Sequence, residues 1–471
     1  MSPDIPLIYG RVTVVAMGRV LIYIREIKFP KNFQWGVAMS ASQIEGAAFE
    51  DGRGASIWDT FSRLPGKILD GSTPDVACDF YHRYKSDIAL AKSLGINAFR
   101  FSFSWSRMLP DGTGRMNGKG LDFYDRMIDE LLKNGITPNA TLYHWDLPQG
   151  IEDRGGWLNR DCADWFADYA ELLFRRFSDR VSMFSTLNEP IAIYVGYACG
   201  GFAPGKQSDQ YGKQACHNAL LAHGKAVERF CSVASRKSKI GIVVDIWHRH
   251  PARDDNPEDI ALAEKENEES YRFFLNPVFK GRYTEYILEK MQREGTTPQM
   301  RDEDFPLIGQ KLDFFGLNCY NRVVVSKDSE AVKKKIVNAG GNFADSGEEF
   351  YPKSVYDALH ILKDDYKVDI PIIITENGCR DVSEKTVDGK IRDEYRIRYI
   401  RGFLEWIHKA MEEGIDVRGY YLWSLIDNFE WTAGYEYKFG IVANDRNTQK
   451  RTLKESACAY SEIIKNNGFL I

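Results

Sequence analysis

PIIITENG, residues 371–378, opens on a proline and three isoleucines and closes on Thr375, Glu376, Asn377 and Gly378. A short unbroken apolar run bounded by turn formers reads as a β-strand covered on both faces, because a half-exposed strand would alternate. Its polar residues come last, so the strand carries them to its C-terminal end. The same form recurs outward from it. Upstream lie FQWGVAM (33–39), AFRFSFSW (98–105), TPNATLYHW (137–145), MFSTLNEP (183–190), KIGIVVDIWH (239–248) and DFFGLNCY (313–320); VRGYYLWSL (417–425) follows.

Helical patterns fill the gaps. Tyr84, Ile88 and Ala91 share one face of residues 79–94; Leu121, Tyr124, Ile128 and Leu131 share one of residues 120–134. Phe166, Ala170, Leu173 and Phe177 do the same over residues 160–179. Further patterns cover residues 212–236, 258–292, 354–366, 393–413 and 453–466, and Gly95, Gly135 and Gly414 close three helices where a left-handed cap is needed. Strand–helix alternation implies parallel strands, since a parallel pair needs a long crossover. Eight units without a long linker predict one closed (β/α)8 TIM barrel of the α/β class, not an open doubly wound sheet.

Composition agrees with a single large unit. The 471 residues are 44% hydrophobic, enough for a large core, and the formal net charge of -5 comes without a basic block, which excludes a nucleic-acid footprint. The eight cysteines are scattered without a C-x-x-C pair, so they read as reduced thiols of a cytoplasmic protein. His248 and His250 lack further ligands, and no metal or other cofactor is expected. Residues 12–24 (VTVVAMGRVLIYI) are apolar but broken by Arg19, too short and too charged to span a membrane and unlike a signal peptide. Residues 1–26 therefore read as an atypical extension, and residues 27–471 as the catalytic barrel.

In such barrels chemistry sits at the C-terminal strand ends. There the sequence gathers Gln43 and Glu45 after strand one, Arg100 within strand two, His144 and Trp145, Asn188 and Glu189, Asn318 and Tyr320, Glu376 and Asn377, then Trp423 with Glu430 and Trp431 just beyond. A lone glutamate at a strand end is more often an ion-pair partner. Two that converge with His, Asn and Trp are the equipment of glycoside hydrolysis: one carboxyl protonated, one ionised, aromatic faces for sugar C–H surfaces, and polar groups for hydroxyls.

These motifs resemble those of the glycoside hydrolase family 1 β-glucosidases of the bacterial type. FQWGVAMSASQIEGA is similar to the family's N-terminal signature, STLNEP to its acid/base motif, IITENG to its nucleophile motif and SLIDNFEWTAGYEYKFGI to its sugar-binding segment; TQKRTLKES fits its tail. The resemblance runs from about Phe29 to about Ile464. It implies Glu189 as general acid then base, and Glu376 as nucleophile, with Arg100, Tyr320 and Asn318 supporting the nucleophile. It implies Gln43, His144, Trp145, Asn188, Glu430, Trp431 and Phe439 as sugar-binding groups and Trp423 as the floor under the ring. The implied substrates are small β-glucosides and cello-oligosaccharides, as in cellobiose degradation, with side activity on β-galactosides and β-fucosides and no membrane or nucleic-acid partner.

Two positions depart from the family pattern. Cys319 replaces a tyrosine, and strand alternation points it away from the mouth. Phe202 replaces a histidine in GYACGGFAPG, a loop expected to border the leaving-group side. Of the alternatives, a 6-phospho-β-glycosidase needs a phosphate clamp where Glu430 stands. A thioglucosidase has Gln in place of Glu189. An inert sugar-binding barrel is expected to lack one carboxylate.

Overall fold

The computed structural model describes residues 12–17, 20–338 and 349–471. The eight strands are β1 (Gln34–Ala38), β2 (Ala98–Ser102), β3 (Thr137–Tyr143), β4 (Met183–Asn188), β5 (Lys239–Asp245), β6 (Phe314–Asn318), β7 (Ile372–Asn377) and β8 (Val417–Trp423). They close into one parallel barrel in chain order, with β8 paired to β1. This is the (β/α)8 barrel that the apolar runs predict.

Side chains of the strands divide by parity. Ala38, Ala98, Met183, Phe314, Ile373, Tyr421 and Trp423 pack together inside the barrel. The other face meets the helices: Phe166, Ala170, Leu173 and Phe177 of Cys162–Phe177 are all fully buried. Each large side chain so buried contributes roughly 1.5–3 kcal/mol.

Residues 258–292, which the spacing reads as one helix, form three: Pro257–Glu269, Tyr271–Lys280 and Glu285–Glu294. The chain leaves helical geometry at Ser270 (φ -109°, ψ -113°) and turns left-handed at Gly281. The first break spans one residue and the second about one helical turn, so the apolar period continues across both.

The expected boundary near residue 26 falls inside a strand. Val20–Lys28 pairs antiparallel with Val12–Met17 on one side and with the C-terminal strand Gly468–Leu470 on the other. Ile27 is fully buried. Gly468 adopts φ +153° with its Cα against the Ile27 carbonyl, where a Cβ would collide. Residues 1–11, 18 and 19 of the expected extension lie outside the described residues.

Candidate active site

Strict alternation alone would not assemble the mouth. Counted from Met183, it would turn Leu187 inward and Asn188 outward. Instead the β4–β5 register shifts between Ser185 and Asn188. Leu187 packs in the outer core and Asn188 faces Arg100. On β7 both neighbouring registers shift after Ile374, and Thr375 and Glu376 both reach inward. Such irregularities re-aim a side chain beside a site. Three cavity residues also hold left-handed backbone without being glycine: Trp145 (φ 72°), Glu189 (φ 44°) and Trp431 (φ 52°). Each costs on the order of 1–3 kcal/mol, a cost that surrounding contacts must offset.

Glu376 is 3% exposed. One carboxylate oxygen forms an ion pair with Arg100, and the other accepts the Tyr320 hydroxyl at 2.7 Å. Arg100 is itself fixed, donating to Asn188 Oδ1 at 2.6 Å and Thr141 Oγ1 at 3.1 Å. Burial first, then the Glu376 charge, push the Tyr320 hydroxyl far above its usual range, so it stays a donor.

Glu189 meets a different environment. Its Oε1 accepts the Asn318 amide at 2.6 Å. Burial pushes its proton affinity well above the carboxylate range, and the charges of Asp245 and Glu376 push it further. It therefore holds a proton at pH values where an ordinary glutamate does not. On sequence, Asn318 belongs with the nucleophile's supports. In the structure its backbone lies beside Glu376, but its side chain crosses to Glu189 and Asn188.

The sugar-binding candidates surround this pair. Gln43 donates to Asn428 Oδ1 and the Phe429 carbonyl, both at 3.0 Å, and to Glu430 at 3.2 Å. Burial, then the Glu376 charge, push Glu430 up to about 8. Lys438 pairs with Glu384, leaving Glu430 to the cavity. Burial, then Arg100, hold His144 well below its usual range, so the ring is neutral, with Nε2 at 3.2 Å from the Asn188 amide. Its ring stacks on Trp423 and Trp431 at 5.8 and 6.0 Å between centroids. Trp145 donates to the Asn188 carbonyl at 2.8 Å and packs on Trp431.

His144, Trp145, Glu189, Tyr320, Glu376, Trp423, Glu430, Trp431 and Phe439 line one cavity of about 290 Å³. That is near the lower end of the roughly 300–1,000 Å³ usual for ligand sites. Gln43, Arg100, Asn188 and Asn318 stand behind it through the bonds above. Glu45 does not belong to it: Arg107 and Tyr124 donate to its carboxylate, at 2.8 and 2.5 Å. Phe202 packs behind the wall, on Trp145 and Trp58. Cys319 is buried with its sulfur toward Ser354, away from the cavity. His248 and His250 line a separate surface cleft with Arg322, Lys353 and Asp357.

Sequence reasoning missed Trp247, Asn321, Glu349, Cys379, Tyr395 and Tyr399, which also line the cavity. Trp247 lies two residues past β5, the one strand whose end contributes no candidate on sequence. The rule applied to the other seven strands would have found it, and Asp245 with it. Glu349 carries no such signal, since it lies between β6 and β7 away from any barrel-strand end and is placed by its ion pair with Arg322 at 2.6 Å.

Known proteins share this fold. A β-glucosidase A of Acetivibrio thermocellus is 44% identical over 94% of this chain and 100% of its own. A β-glucosidase A of Thermotoga maritima is likewise 44% identical, over 94% and 98%. The structure of a family 1 β-glucosidase from Thermotoga maritima in complex with isofagomine lactam superposes with a TM-score of 0.87 at 43% identity, covering 94% of this chain and 99% of that one. The profile described as Glycosyl hydrolase family 1 matches residues 25–469, and the chain belongs to that family.

Proposed function

We propose that this chain is a β-glucosidase that removes terminal non-reducing β-D-glucosyl residues with retention, through a covalent glycosyl-enzyme. One observation carries the reading. Two glutamates on one cavity have opposite surroundings: Glu376 is ion-paired with Arg100, and Glu189 is half-buried beside negative charges that raise its proton affinity.

In the first step Glu376 attacks the anomeric carbon while Glu189 gives its proton to the glycosidic oxygen. The C–O bond breaks and the aglycone leaves as an alcohol. Glu376 is then a neutral ester, so Glu189 loses one repulsive neighbour and its proton affinity falls. In the second step Glu189, now an anion, takes a proton from water as the water oxygen attacks the same carbon and displaces Glu376. Asn188, held by Arg100 and Asn318, presents its amide toward the hydroxyl next to that carbon.

The lining favours small, uncharged glycosides such as aryl β-glucosides and cello-oligosaccharides, consistent with a cytoplasmic role in cellobiose degradation. Among the described residues it carries four glutamates (Glu189, Glu349, Glu376 and Glu430) and neither lysine nor arginine, which disfavours a 6-phosphate. A carboxyl at Glu430 can follow a hydroxyl that changes face, which supports side activity on galactosides. Fucosides, which have no 6-hydroxyl, would bind with one hydrogen bond fewer. Among the described residues, no helix is long and apolar enough to cross a membrane.

The test is a mechanism-based 2-fluoroglucoside with peptide mapping, together with NMR of the first-formed anomer. Labelling at Glu376 and a β-anomer product are expected. An α-anomer, or a label elsewhere, would overturn the mechanism.

A further inference from the structure

Asp245 ends β5, between the strand that leads to Glu189 and the strand that carries Asn318. The β5–β6 register runs without a shift from Gly241 beside Phe314 to Asp245 beside Asn318. A Cβ on Gly241 would meet the Phe314 ring, and one on Gly316 would meet the Val243 side chain. Phe314 belongs to the inner core, so residues 241, 243 and 245 all face inward. Asp245 thus enters the mouth side by side with Asn318. The flanking backbone is tied to the same groups: Glu189 N–H donates to the Val243 carbonyl, and Ile246 N–H to the Asn318 carbonyl, both at 3.0 Å. Asp245 is 9% exposed.

We infer that Asp245 is a positioning residue for the catalytic proton: its carboxylate, inward on the strand next to the acid/base, sets how tightly Glu189 holds that proton in both steps. The inference rests on the acid/base reading of Glu189 above.

The charges acting on Glu189 come from every side. Asp245 on β5 and Glu376 on β7 raise its proton affinity; Arg100 on β2 and the Asn318 amide on β6 lower it. Asp245 itself faces Glu376 and Arg249, and burial pushes it above the usual carboxylate range. The Tyr320 hydroxyl feels Glu189 and Glu430 as well as Glu376. Asp245 differs from Glu376 in one respect. When Glu376 becomes an ester its charge disappears, and the charge on Asp245 remains. Asp245 therefore limits how far the proton affinity of Glu189 falls, and leaves it a stronger base toward water in the second step.

The test compares pH profiles of kcat/KM on 4-nitrophenyl β-glucoside for the wild type, Asp245→Asn and Glu189→Gln. Removing one negative neighbour should move the basic limb down by about half a pH unit, roughly a threefold loss on the alkaline side. If Glu189→Gln abolishes the basic limb and Asp245→Asn leaves it unmoved, the inference is overturned while the acid/base assignment stands. If Glu189→Gln keeps the limb, the acid/base assignment fails and takes this inference with it. Should Asp245→Asn not fold, carboxyl-labelled glutamate NMR on Glu376→Gln decides. Glu189 should still titrate above the ordinary range, with a second inflection from Asp245; a single inflection in the ordinary glutamate range refutes the inference.

Discussion

Glu189 and Glu376 are the same residue type at the ends of two barrel strands, yet they are held in opposite ways. Glu376 has a cation on one oxygen and a hydroxyl donor on the other. Glu189 has an amide donor and two carboxylate neighbours. Fold position does not distinguish them; the groups that other strands bring to each do. β2 delivers Arg100 to one carboxyl and β5 delivers Asp245 to the other. On the mechanism proposed above, what faces each carboxyl makes one of two identical side chains a nucleophile and the other an acid.

The hardest blow to that contrast is removal of the charged member. Glu376→Ala should lower kcat on every glucoside by at least ~10⁴-fold, because the proposed mechanism passes through the Glu376 ester. Steady-state rates on aryl glucosides check it. Near-normal turnover would mean that the ion-paired carboxyl is structural. A buried ion pair broken on one side typically costs about 3–5 kcal/mol, so thermal unfolding must be followed in parallel, with Arg100 the group left unpaired.

Glu189→Gln tests the other member and should be selective. Alkyl glucosides need a protonated leaving group and should lose roughly 10²–10⁴-fold; 2,4-dinitrophenyl glucoside should keep most of its first step. Equal losses across a leaving-group series would contradict the acid role. In the wild type the sign is set by the raised proton affinity of Glu189. Activity should persist above the ordinary glutamate range and fall as pH rises through the folded value, where the proton is lost.

Much of this contrast was legible in the sequence. The eight apolar runs mark the strands because buried parallel strands do not alternate. The polar residues closing them mark the mouth because that end gathers the C-terminal strand ends and the βα loops. What stayed hidden was local backbone geometry. The register shifts on β4 and β7 leave no trace in composition, so alternation by itself misplaces Asn188 and Glu376. The partner of Asn318 depends on a side-chain direction across the mouth, which residue order does not encode. Ser270 and Gly281 break a helix whose apolar period survives the break. Trp247 and Asp245 were readable, since they obey the same strand-end rule as the other groups.

Glu430 sharpens the comparison from the substrate side. It is a third carboxyl, pushed up to about 8 by burial and then by the Glu376 charge. Sugar hydroxyls that donate to it would restore its anion, at roughly 1.5–3 kcal/mol per charged hydrogen bond. A β-glucoside should exceed its 6-phosphate in kcat/KM by more than about tenfold, and Glu430→Ser should narrow the gap. Preference of the wild type for the phosphate would change the substrate class and leave the two catalytic glutamates in place.

The smallest effect belongs to the N-terminal hairpin, whose partners lie away from both carboxyls. Among the described residues Val12–Met17 is an edge strand, bonded to Val20–Lys28, which the C-terminal strand holds on its other side. The inner strand is anchored further by Arg25 to Glu412 at 2.7 Å and by the Lys28 carbonyl to His408 at 3.0 Å. Deleting residues 1–19 removes the edge and leaves those anchors, so kcat/KM and both pH limbs should stay within about twofold and Tm should fall only slightly. Deleting residues 1–28 also removes Ile27, fully buried, whose burial alone contributes roughly 1.5–3 kcal/mol. That cut strips the partner from Gly468–Leu470 and should lower Tm by several degrees or reduce soluble yield. Calorimetry on the two truncations, read beside their pH profiles, separates support of the barrel from tuning of the carboxyls. A basic limb displaced by the shorter cut would show that the hairpin reaches the electrostatics of Glu189, a coupling for which the anchors at Glu412 and His408 offer no route.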